Sequence, residues 1–517
     1  MEKHEQFAQV INEGYTFKGG ALTMGVAMLD GQPVPGALVK APLSTMNRHG
    51  LVAGATGTGK TKTLQRLVES LSKNGVPVLI MDIKGDVSGI SQPGTSNPKI
   101  DERHAKIGEP WAAAQFPVEF LSISNEKGTK MRATVSEFGP VLFSKILELN
   151  DTQSSVCSLI FKYCDDKGLA LLDLQDFKKT LQYLTNEGKE EIEQEYGAIA
   201  SSSTAAMMRK VIELEEQGAE LFFGEKSFDV EDLLRKDREG RGYVNIIRLS
   251  DMQAKPKLFS TFMLCLLAEI YQTFPEEGDI EKPKLVFIID EAHLIFNEAS
   301  KALLDQLETI IKLIRSKGVG IYFCTQNPID IPPAILSQLG MKIQHALRAF
   351  TANDRKAIKL AAENYPLTDF YQVDETITAL GTGEAFFTAL NEKGIPTPLA
   401  HVLLCAPESR MDTITDAELD KAVERSDIAS TYNKVIDRES AAEILGEKIK
   451  RAQDEAQKAK EAEERDKEDA AERKRRKDDP TFLESVGKNP IVRDVGRTLS
   501  REIVRGILGV LGIRRRR

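Results

Sequence analysis

Apolar residues recur along the chain in two patterns, short continuous runs and runs with helical spacing, which predict strands and helices. Near the start, the apolar run HGLVA precedes the glycine-rich loop GATGTGKT, the helical pattern TLQRLVESLSKNG and the apolar run VPVLIMD. The order strand, loop, helix, strand is the unit from which parallel α/β sheets are built. The pattern therefore predicts an α/β fold in which a mainly parallel sheet is flanked by helices.

The same alternation returns in the second half of the chain. Apolar runs predict strands over YVNIIRLS, KLVFIIDEAH and VGIYFCTQNP, and helical spacing predicts helices over FSTFMLCLLAEIYQTF and LLDQLETIIKLIRSKG. Two later runs, GEAFFTAL and PLAHVLLC, are candidates for closing strands. Residues 125–240 have mainly helical patterns. We therefore predict one sheet domain, formed by residues 46–124 and 241–410, with residues 125–240 as a helical insertion.

The two ends of the chain have patterns of their own. Residues 1–45 contain short β-favouring pieces separated by turn signals, which predict a small N-terminal β element that caps the core. Residues 411–480 include a long stretch of Ala, Glu, Lys and Arg with few large apolar side chains, which is typical of a charged helix or a disordered linker.

Residues 481–517 form a basic amphipathic tail. Four arginines recur at intervals of four residues, which would place them on one face of a helix: Arg493, Arg497, Arg501 and Arg505. Such a tail could contact phosphate backbones, an anionic membrane surface or an acidic protein partner. A solvated tail without a specific role is the remaining interpretation.

Composition narrows the class of protein. The 517 residues carry a net charge of −9, and they contain neither an apolar run long enough to span a bilayer nor the apolar core of a signal peptide. We therefore expect a cytoplasmic protein. The five cysteines show neither CxxC pairing nor a cluster with histidine, so the sequence indicates no disulfide framework and no zinc site.

The glycine-rich loop carries the strongest chemical signal. It fits the pattern G-x-x-x-x-G-K-[ST] throughout, and its residues are the predicted nucleotide-binding residues: Gly54, Ala55, Thr56, Gly57, Thr58, Gly59, Lys60 and Thr61. Glycines allow backbone N–H groups to surround phosphates, and the N-terminus of the following helix adds a favourable dipole. Lys60 is predicted to reach the β- and γ-phosphates, and Thr61 to coordinate Mg²⁺. ATP and Mg²⁺ are the expected ligands.

Two further strands end in polar residues. LVFII is followed by Asp290 and Glu291 at the strand end where parallel α/β sheets bind ligands. Asp290 is the predicted Mg²⁺ ligand, and Glu291 is the predicted catalytic base that orients and deprotonates the attacking water. Gln326, at the end of the strand in VGIYFCTQNP, is the predicted sensor of the γ-phosphate.

Two short segments also resemble motifs of switch GTPases. Asp82 to Gly85 fits the D-x-x-G pattern of switch GTPases, and Asn327 to Asp330 partly fits their guanine-reading N-K-x-D motif but lacks its lysine. Because the Asp-Glu pair occupies its own later strand, the arrangement favours a motor that carries its own catalytic glutamate. Asp82, Lys84 and Asp86 are then candidates to line the nucleotide edge or a subunit interface, or to form a capping turn.

Phosphoryl transfer also benefits from an arginine that neutralises charge in the transition state, often donated by a neighbouring subunit. The candidates are Arg315, which precedes the VGIYFC strand, and Arg348 and Arg355, which follow it in HALRAFTANDRKAI. The sequence does not choose among them. A finger supplied in trans would require an oligomer.

Taken together in this order, GATGTGKT, DIKGD, IIDEAH and CTQNP resemble the HerA–FtsK superfamily of ring-forming ATPases, in particular the bacterial HerA-like branch with the YjgR-type proteins. The resemblance covers about residues 15–405. It implies a RecA-like core, a hexameric ring with ATP sites between subunits, and a central pore through which HerA-type relatives move DNA.

Three functions follow as hypotheses. The first is an ATP-driven DNA translocase or helicase. The second is a motor or switch that acts on protein or membrane complexes without a DNA substrate, with the basic tail as a docking helix. The third is a nucleotide-dependent assembly or signalling protein that hydrolyses ATP slowly. Fold-level resemblance does not by itself identify the substrate.

Overall fold

The computed structural model describes residues 2–252, 255–278, 280–298, 301–434, 436 and 438–477. The chain divides into two compact units, residues 1–444 and residues 445–517. In the second unit, residues 445–477 are the greater part of a helix that starts at Ala441. The basic tail, residues 481–517, lies outside the described residues, so its predicted helical face stays a prediction.

Twelve strands form one sheet among the described residues. In chain order they are β1 (Ala21–Leu29), β2 (Gln32–Pro42), β3 (Gly50–Ala53), β4 (Val78–Asp82), β5 (Val118–Ser122), β6 (Thr129–Lys130), β7 (Val244–Arg248), β8 (Leu285–Ile289), β9 (Val319–Thr325), β10 (Met341–Gln344), β11 (Glu384–Thr388) and β12 (Ala400–Leu404). Their order across the sheet is β2-β1-β12-β11-β10-β3-β9-β8-β4-β7-β5-β6.

Seventeen α-helices are described along the chain. They are α1 (Glu2–Gly14), α2 (Lys60–Lys73), α3 (Pro98–Ile107), α4 (Val135–Ile146), α5 (Asp151–Asp166), α6 (Leu174–Thr185), α7 (Lys189–Glu195), α8 (Ser201–Glu216), α9 (Pro256–Thr273), α10 (His293–Glu298), α11 (Lys301–Ile314), α12 (Pro333–Leu336), α13 (Ala352–Glu363), α14 (Val373–Ala379), α15 (Asp416–Glu424), α16 (Ala429–Tyr432) and α17 (Ala441–Lys477).

The strands from β10 to β6 pair in parallel, whereas β11, β12, β1 and β2 add antiparallel pairs on the other side. The central strands β3, β4, β8 and β9 are buried throughout, which explains why their sequences are continuous apolar runs. The predicted α/β fold with a mainly parallel sheet is therefore confirmed. The two predicted closing strands are β11 and β12.

The N-terminal region contributes a helix as well as strands. The sequence predicts only short β pieces over residues 1–45, but residues 2–14 form α1 because Phe7 and Ile11, spaced by one helical turn, are both buried. Tyr15 follows them into the core, and its hydroxyl donates to the carbonyl of Pro398 at 2.6 Å. The β1–β2 hairpin then extends the main sheet, since β1 pairs with β12.

Helices α4 to α8 lie between β6 and β7. Capping boxes start three of them, with Thr134 capping α4, Asn150 capping α5 and Asp173 capping α6. Rings of Phe143 and Phe177 meet at a centroid distance of 4.9 Å, within a wider cluster of aromatic side chains. Aromatic packing therefore joins these helices to one another, and Phe222 also meets Phe262 of α9 at a centroid distance of 5.3 Å.

Over residues 441–477 the described chain is helical, which corresponds to the first of the two forms considered for this charged stretch. None of the helices in the described part of the chain has both the length and the apolar character needed to cross a membrane.

Candidate functional site

The carboxyl ends of β3, β4, β8, β9 and β10 meet at one edge of the sheet. Parallel pairing sets Ala53 of β3 opposite Thr325 of β9, and Ile289 of β8 opposite Phe323 of β9. The residues that follow these strands are therefore brought together, although they are far apart in sequence. This is the edge at which parallel α/β sheets bind ligands.

The glycine-rich loop turns sharply between β3 and α2. Gly54, Gly57 and Gly59 have φ values of 153°, 79° and 109°, a region of backbone space that side chains disfavour. The loop is anchored at its base, because the Gly54 N–H donates to the carbonyl of Thr325 at 3.2 Å and the Ala55 N–H donates to that of Ala346 at 2.8 Å. The sequence thus folds here into an open loop over the N-terminus of α2, the geometry that binds phosphate.

Lys60 starts α2 and is almost fully buried. Its Nζ donates to the carbonyl of Ala55 at 3.2 Å. Burial lowers the pKa of Lys60, and the positive charge of Lys84 acts in the same direction. The Lys60 ammonium group, which is hydrogen-bonded to a carbonyl and also interacts with the carboxylates of Glu291 and Asp290, has an electrostatic preference for an anion at the predicted phosphate loop.

The hydroxyl of Thr61 donates to Oδ2 of Asp86 at 3.2 Å. The other oxygen of Asp86, Oδ1, is buried and accepts no hydrogen bond from any described residue. Hydroxyl and carboxylate oxygens are the ligand types that Mg²⁺ prefers, usually completed by phosphates and water. Asp86 therefore joins Thr61 and Asp290 among the residues that fit a magnesium ion. No group of three or more His, Cys, Asp or Glu side chains in the described ranges could hold a metal ion, so this set would need phosphate and water oxygens as further ligands.

Asp290 and Glu291 follow β8 as predicted and are both buried. Burial raises the pKa of Asp290, and the neighbouring carboxylate of Glu291 adds to the effect. Oδ1 of Asp290 accepts the backbone N–H of Glu291 at 2.9 Å. Glu291 has a φ of 48°, the left-handed conformation that is uncommon for a residue with a side chain. The turn thereby directs two adjacent carboxylates to the same edge of the sheet.

Two cationic or potentially cationic groups contact the Glu291 carboxylate. Lys84 Nζ forms an ion pair with Oε1, and His293 Nδ1 lies 3.2 Å from Oε2. Burial opposes the charged form of Lys84, but the bond to Glu291 and the nearby carboxylates outweigh it and raise the pKa of Lys84. The predicted catalytic base is therefore paired with Lys84.

Asp82 forms a capping turn at the end of β4. Its Oδ1 accepts the N–H of Gly85 at 2.7 Å, and burial together with the carboxylate of Asp86 raises the pKa of Asp82 to about 7. The second GTPase-like segment also closes on itself: Asn327 accepts the N–H of Ile329, and the carboxylate of Asp330 accepts the hydroxyl of Thr325 at 2.6 Å. The two segments that resemble GTPase motifs, Asp82 to Gly85 and Asn327 to Asp330, therefore each form a turn.

Gln326 follows β9 and is exposed beside the glycine-rich loop. Together with Ala55, Thr56, His293 and Arg348 it lines a cleft of about 620 Å³. The predicted sensor and one of the three candidate arginines are therefore next to the loop that is predicted to bind phosphate.

The three arginines occupy different places. Arg348 lines the cleft, and its guanidinium donates to the carbonyl of Thr378 at 3.1 Å. Arg355 is exposed on α13, whose residues Asp354 and Ile358 line the same cleft. Arg315 precedes β9, at the opposite end of that strand from Gln326, and lines a separate cavity. Arg315 therefore does not lie at the site of its own chain.

Two supports of the glycine-rich loop were not predicted. His345, directly after β10, accepts or donates a hydrogen bond with the hydroxyl of Thr63 at 2.9 Å, and it packs under Gly54. Arg103 of α3 donates to the carbonyls of Thr382 and Gly383. The sequence offers a weak signal only for His345, a polar residue that ends an apolar run; Arg103 is recognisable only from the folded chain.

A glycine-rich phosphate loop, a strand that ends in Asp-Glu and a polar strand end beside them, all on one edge of a parallel sheet, define a P-loop ATPase with a RecA-like core. Residues 28–517 match the family described as "Helicase HerA-like C-terminal". The chain belongs to this HerA-like family.

Two curated relatives are archaeal DNA double-strand break repair helicases HerA. The protein of Sulfolobus acidocaldarius is 23% identical over 367 residues, which cover 69% of this chain and 66% of that protein. The protein of Sulfurisphaera tokodaii is 23% identical over 390 residues, which cover 74% of this chain and 69% of that protein. The matched regions thus span about two thirds of the length of these relatives.

Among solved structures, the bacterial conjugative coupling protein TrwB, in a form named TrwBdeltaN70, is similar with a TM-score of 0.51 and 16% identity. The match covers 78% of this chain and 94% of that chain. This likeness concerns the fold.

Proposed function

We propose that the protein hydrolyses ATP and uses the cycle to drive DNA translocation or unwinding. The observation that carries the ATPase part is the meeting of the glycine-rich loop, Asp290–Glu291 and Gln326 at one sheet edge. Each of these elements serves a different need of phosphoryl transfer, namely phosphate binding, charge neutralisation and placement of the attacking water.

The reaction assigns a role to each side chain. Backbone N–H groups of the loop and Lys60 bind the phosphates, and Glu291 accepts the proton of the attacking water. Thr61, Asp290 and Asp86 would hold Mg²⁺, which neutralises phosphate charge when bound. Gln326 contacts the γ-phosphate and its water, so that its position depends on whether that phosphate is present.

DNA enters the proposal through the relatives, which are named as DNA repair helicases. Steady-state hydrolysis of the full-length protein, measured with and without single- and double-stranded DNA at low and moderate salt, tests this part. We expect DNA to raise kcat about threefold or more, with a salt-sensitive effect because phosphate contacts release counterions. Glu291-dependent hydrolysis that no DNA changes would contradict the DNA substrate and leave a motor or switch on protein or membrane complexes.

We further propose a homo-oligomer, a hexameric ring, in which a neighbouring subunit supplies an arginine to the cleft. Arg348 and Arg355 are placed beside the cleft of their own chain, whereas Arg315 is at the other sheet edge and could serve only in trans. Single alanine variants of the three, each mixed with Glu291→Gln protein, separate the cases. A trans finger predicts partial recovery of activity on mixing; an arginine acting within its own chain predicts none.

The division into a core, an insertion, a charged helix and a basic tail is proposed with the same boundaries as in the sequence. The cytoplasmic location also stays a prediction. Removing residues 481–517 tests the tail: loss of DNA stimulation would assign it to the DNA, and loss of membrane association would assign it to a membrane surface.

A further inference from the structure

Lys84 pairs with one anionic group, the Glu291 carboxylate, and is close to the predicted position of a second, the γ-phosphate of ATP. Its Nζ pairs with Oε1 of Glu291, and Asp86, two residues further along the same loop, accepts a hydrogen bond from the hydroxyl of Thr61 in the glycine-rich loop. The phosphate position predicted beside Lys60 and Thr61 is therefore next to the loop that carries Lys84. The Lys84 side chain is 39% exposed, so its four-carbon stem is free to change direction.

Glu291, by contrast, is held in place. Its side chain is 6% exposed and contacts both Lys84 and His293. Its φ of 48° is a conformation that side chains disfavour and that the surrounding contacts must maintain. As long as Lys84 contacts Oε1 of Glu291, that oxygen is not open to an attacking water.

We propose that Lys84 exchanges partners during the cycle, pairing with Glu291 when the site lacks a γ-phosphate and with the γ-phosphate when ATP is bound. A terminal phosphate carries more negative charge than a carboxylate, so the exchange is electrostatically downhill once ATP binds. Release of Lys84 leaves Glu291 with His293 and free to accept the proton of the attacking water. Lys84 is in this view a positioning residue that links ATP binding to activation of the base, and the inference rests on the proposed ATPase function.

The exchange makes a prediction about binding alone. If Glu291 and the γ-phosphate compete for Lys84, then removing the carboxylate frees Lys84 for the phosphate. Glu291→Gln should bind ATPγS about threefold or more tightly than wild type, and this gain should vanish in the double variant Lys84→Ala/Glu291→Gln. Simple loss of a negative charge near the phosphates would give the same gain with and without Lys84, so the double variant separates the two causes.

The experiment measures Kd for ATPγS and for ADP on full-length wild type and variants, with hydrolysis recorded in parallel. Lys84→Ala should reduce the preference for ATPγS over ADP at least about fivefold, whereas Lys84→Arg should retain it within about twofold. Lys106→Ala is the matched control, because Lys106 pairs with exposed Glu102 away from the site. Fluorescence of Trp111, the single tryptophan, checks that each variant is folded.

The outcomes separate this inference from the proposed function. An unchanged ATPγS-to-ADP preference in Lys84→Ala, or an equal gain from Glu291→Gln in both backgrounds, overturns the exchange. Wild-type protein that binds ATPγS but does not hydrolyse ATP overturns the ATPase proposal, while the binding cycle still decides the role of Lys84. Absence of nucleotide binding overturns both.

Discussion

The hydroxyl of Thr63 lies 2.9 Å from Nε2 of His345, a contact that joins the first turn of α2 to the end of β10. His345 is fully buried. A Cβ placed on Gly54 would come within 2.5 Å of the Cβ of His345. The Cβ and backbone of His345 therefore leave room for glycine alone at position 54. The shape of the phosphate loop depends on this residue as well as on its own glycines.

Burial, assisted by the charge of Lys60, lowers the pKa of His345 to about 4. In the unfolded chain, His345 has a pKa near 6.5. Between pH 6.5 and pH 4, the unfolded chain therefore binds a proton at His345 and the folded chain does not. The contribution of neutral His345 to stability is therefore lost as pH falls from about 6.5 to 4, by about 3 kcal/mol in all. The free energy of unfolding of His345→Gln should not show this decrease with falling pH. The difference in free energy of unfolding between wild type and variant should therefore shrink between pH 6.5 and pH 4.

Urea denaturation followed by Trp111 fluorescence at several pH values measures the difference. Tyr365→Phe is the control, since it alters a buried hydroxyl that bonds to Gln344 on the same strand but introduces no group that titrates in this range. Parallel pH profiles for wild type and His345→Gln would show that His345 is not held neutral by the fold.

The second prediction concerns the pairing of β1 with β12. A Cβ on Gly25 would lie 2.0 Å from the carbonyl oxygen of Leu403, so Gly25→Ala cannot keep β1 paired with β12. We expect a loss of about 2–3 kcal/mol in the free energy of unfolding. Gly278→Ala, with no atom within 4 Å of the added Cβ, should change it by less than about 0.5 kcal/mol. Equal effects of the two substitutions would contradict the observed pairing.

A third prediction addresses the loop that faces the phosphate loop. Gly383 donates its N–H to the carbonyl of Thr58 at 3.0 Å, and Arg103 fixes the Gly383 segment through its carbonyls. Arg103→Ala should therefore weaken ATP binding about three- to tenfold, since each lost hydrogen bond is worth about 1 kcal/mol. Titration with a fluorescent ATP analogue tests this, with Lys106→Ala on the same helix as control. An unchanged Kd would remove Arg103 from the support of the site.

The fourth prediction separates shape from metal binding at Thr61. Thr61→Val keeps the size of the side chain but removes the hydroxyl that contacts Asp86. We expect Thr61→Val to lower Mg²⁺-dependent hydrolysis at least about tenfold and Thr61→Ser to retain most of it. Hydrolysis rates over a Mg²⁺ titration provide the measurement. Thr61→Val with wild-type rates and Mg²⁺ dependence would exclude Thr61 as a metal ligand.

The sequence predicted the features whose signals are local. Residues 54–61 form a contiguous motif, and Asp290 with Glu291 directly follow an apolar run, so both could be placed at strand ends without knowledge of the fold. Parallel pairing then follows from the alternation of strands and helices. The structure brings these residues to one edge because β3 and β8 both pair in parallel with β9, which lies between them.

Other features depend on contacts between distant parts of the chain. Arg103 contacts Gly383, which is 280 positions away in sequence. Lys84, which follows β4, pairs with Glu291, which follows β8. No local pattern distinguishes these side chains from ordinary surface charges. Helix α1 was not predicted. Phe7 and Ile11 have helical spacing, but the turn signals that follow them favour β structure over residues 1–45. The choice among Arg315, Arg348 and Arg355 depends on a second copy of the chain.

The central claim is that Glu291 is the base of an ATP hydrolysis reaction, and a comparison of wild type with Glu291→Gln tests it most directly. Steady-state hydrolysis and ATP binding should be measured together on full-length protein, with Glu277→Gln as a control for loss of an acidic group that pairs with Lys284 at the other sheet edge. We predict that Glu291→Gln lowers kcat at least about 100-fold while binding ATP at least as tightly as wild type. Glu291→Gln protein that hydrolyses ATP at the wild-type rate would contradict the account.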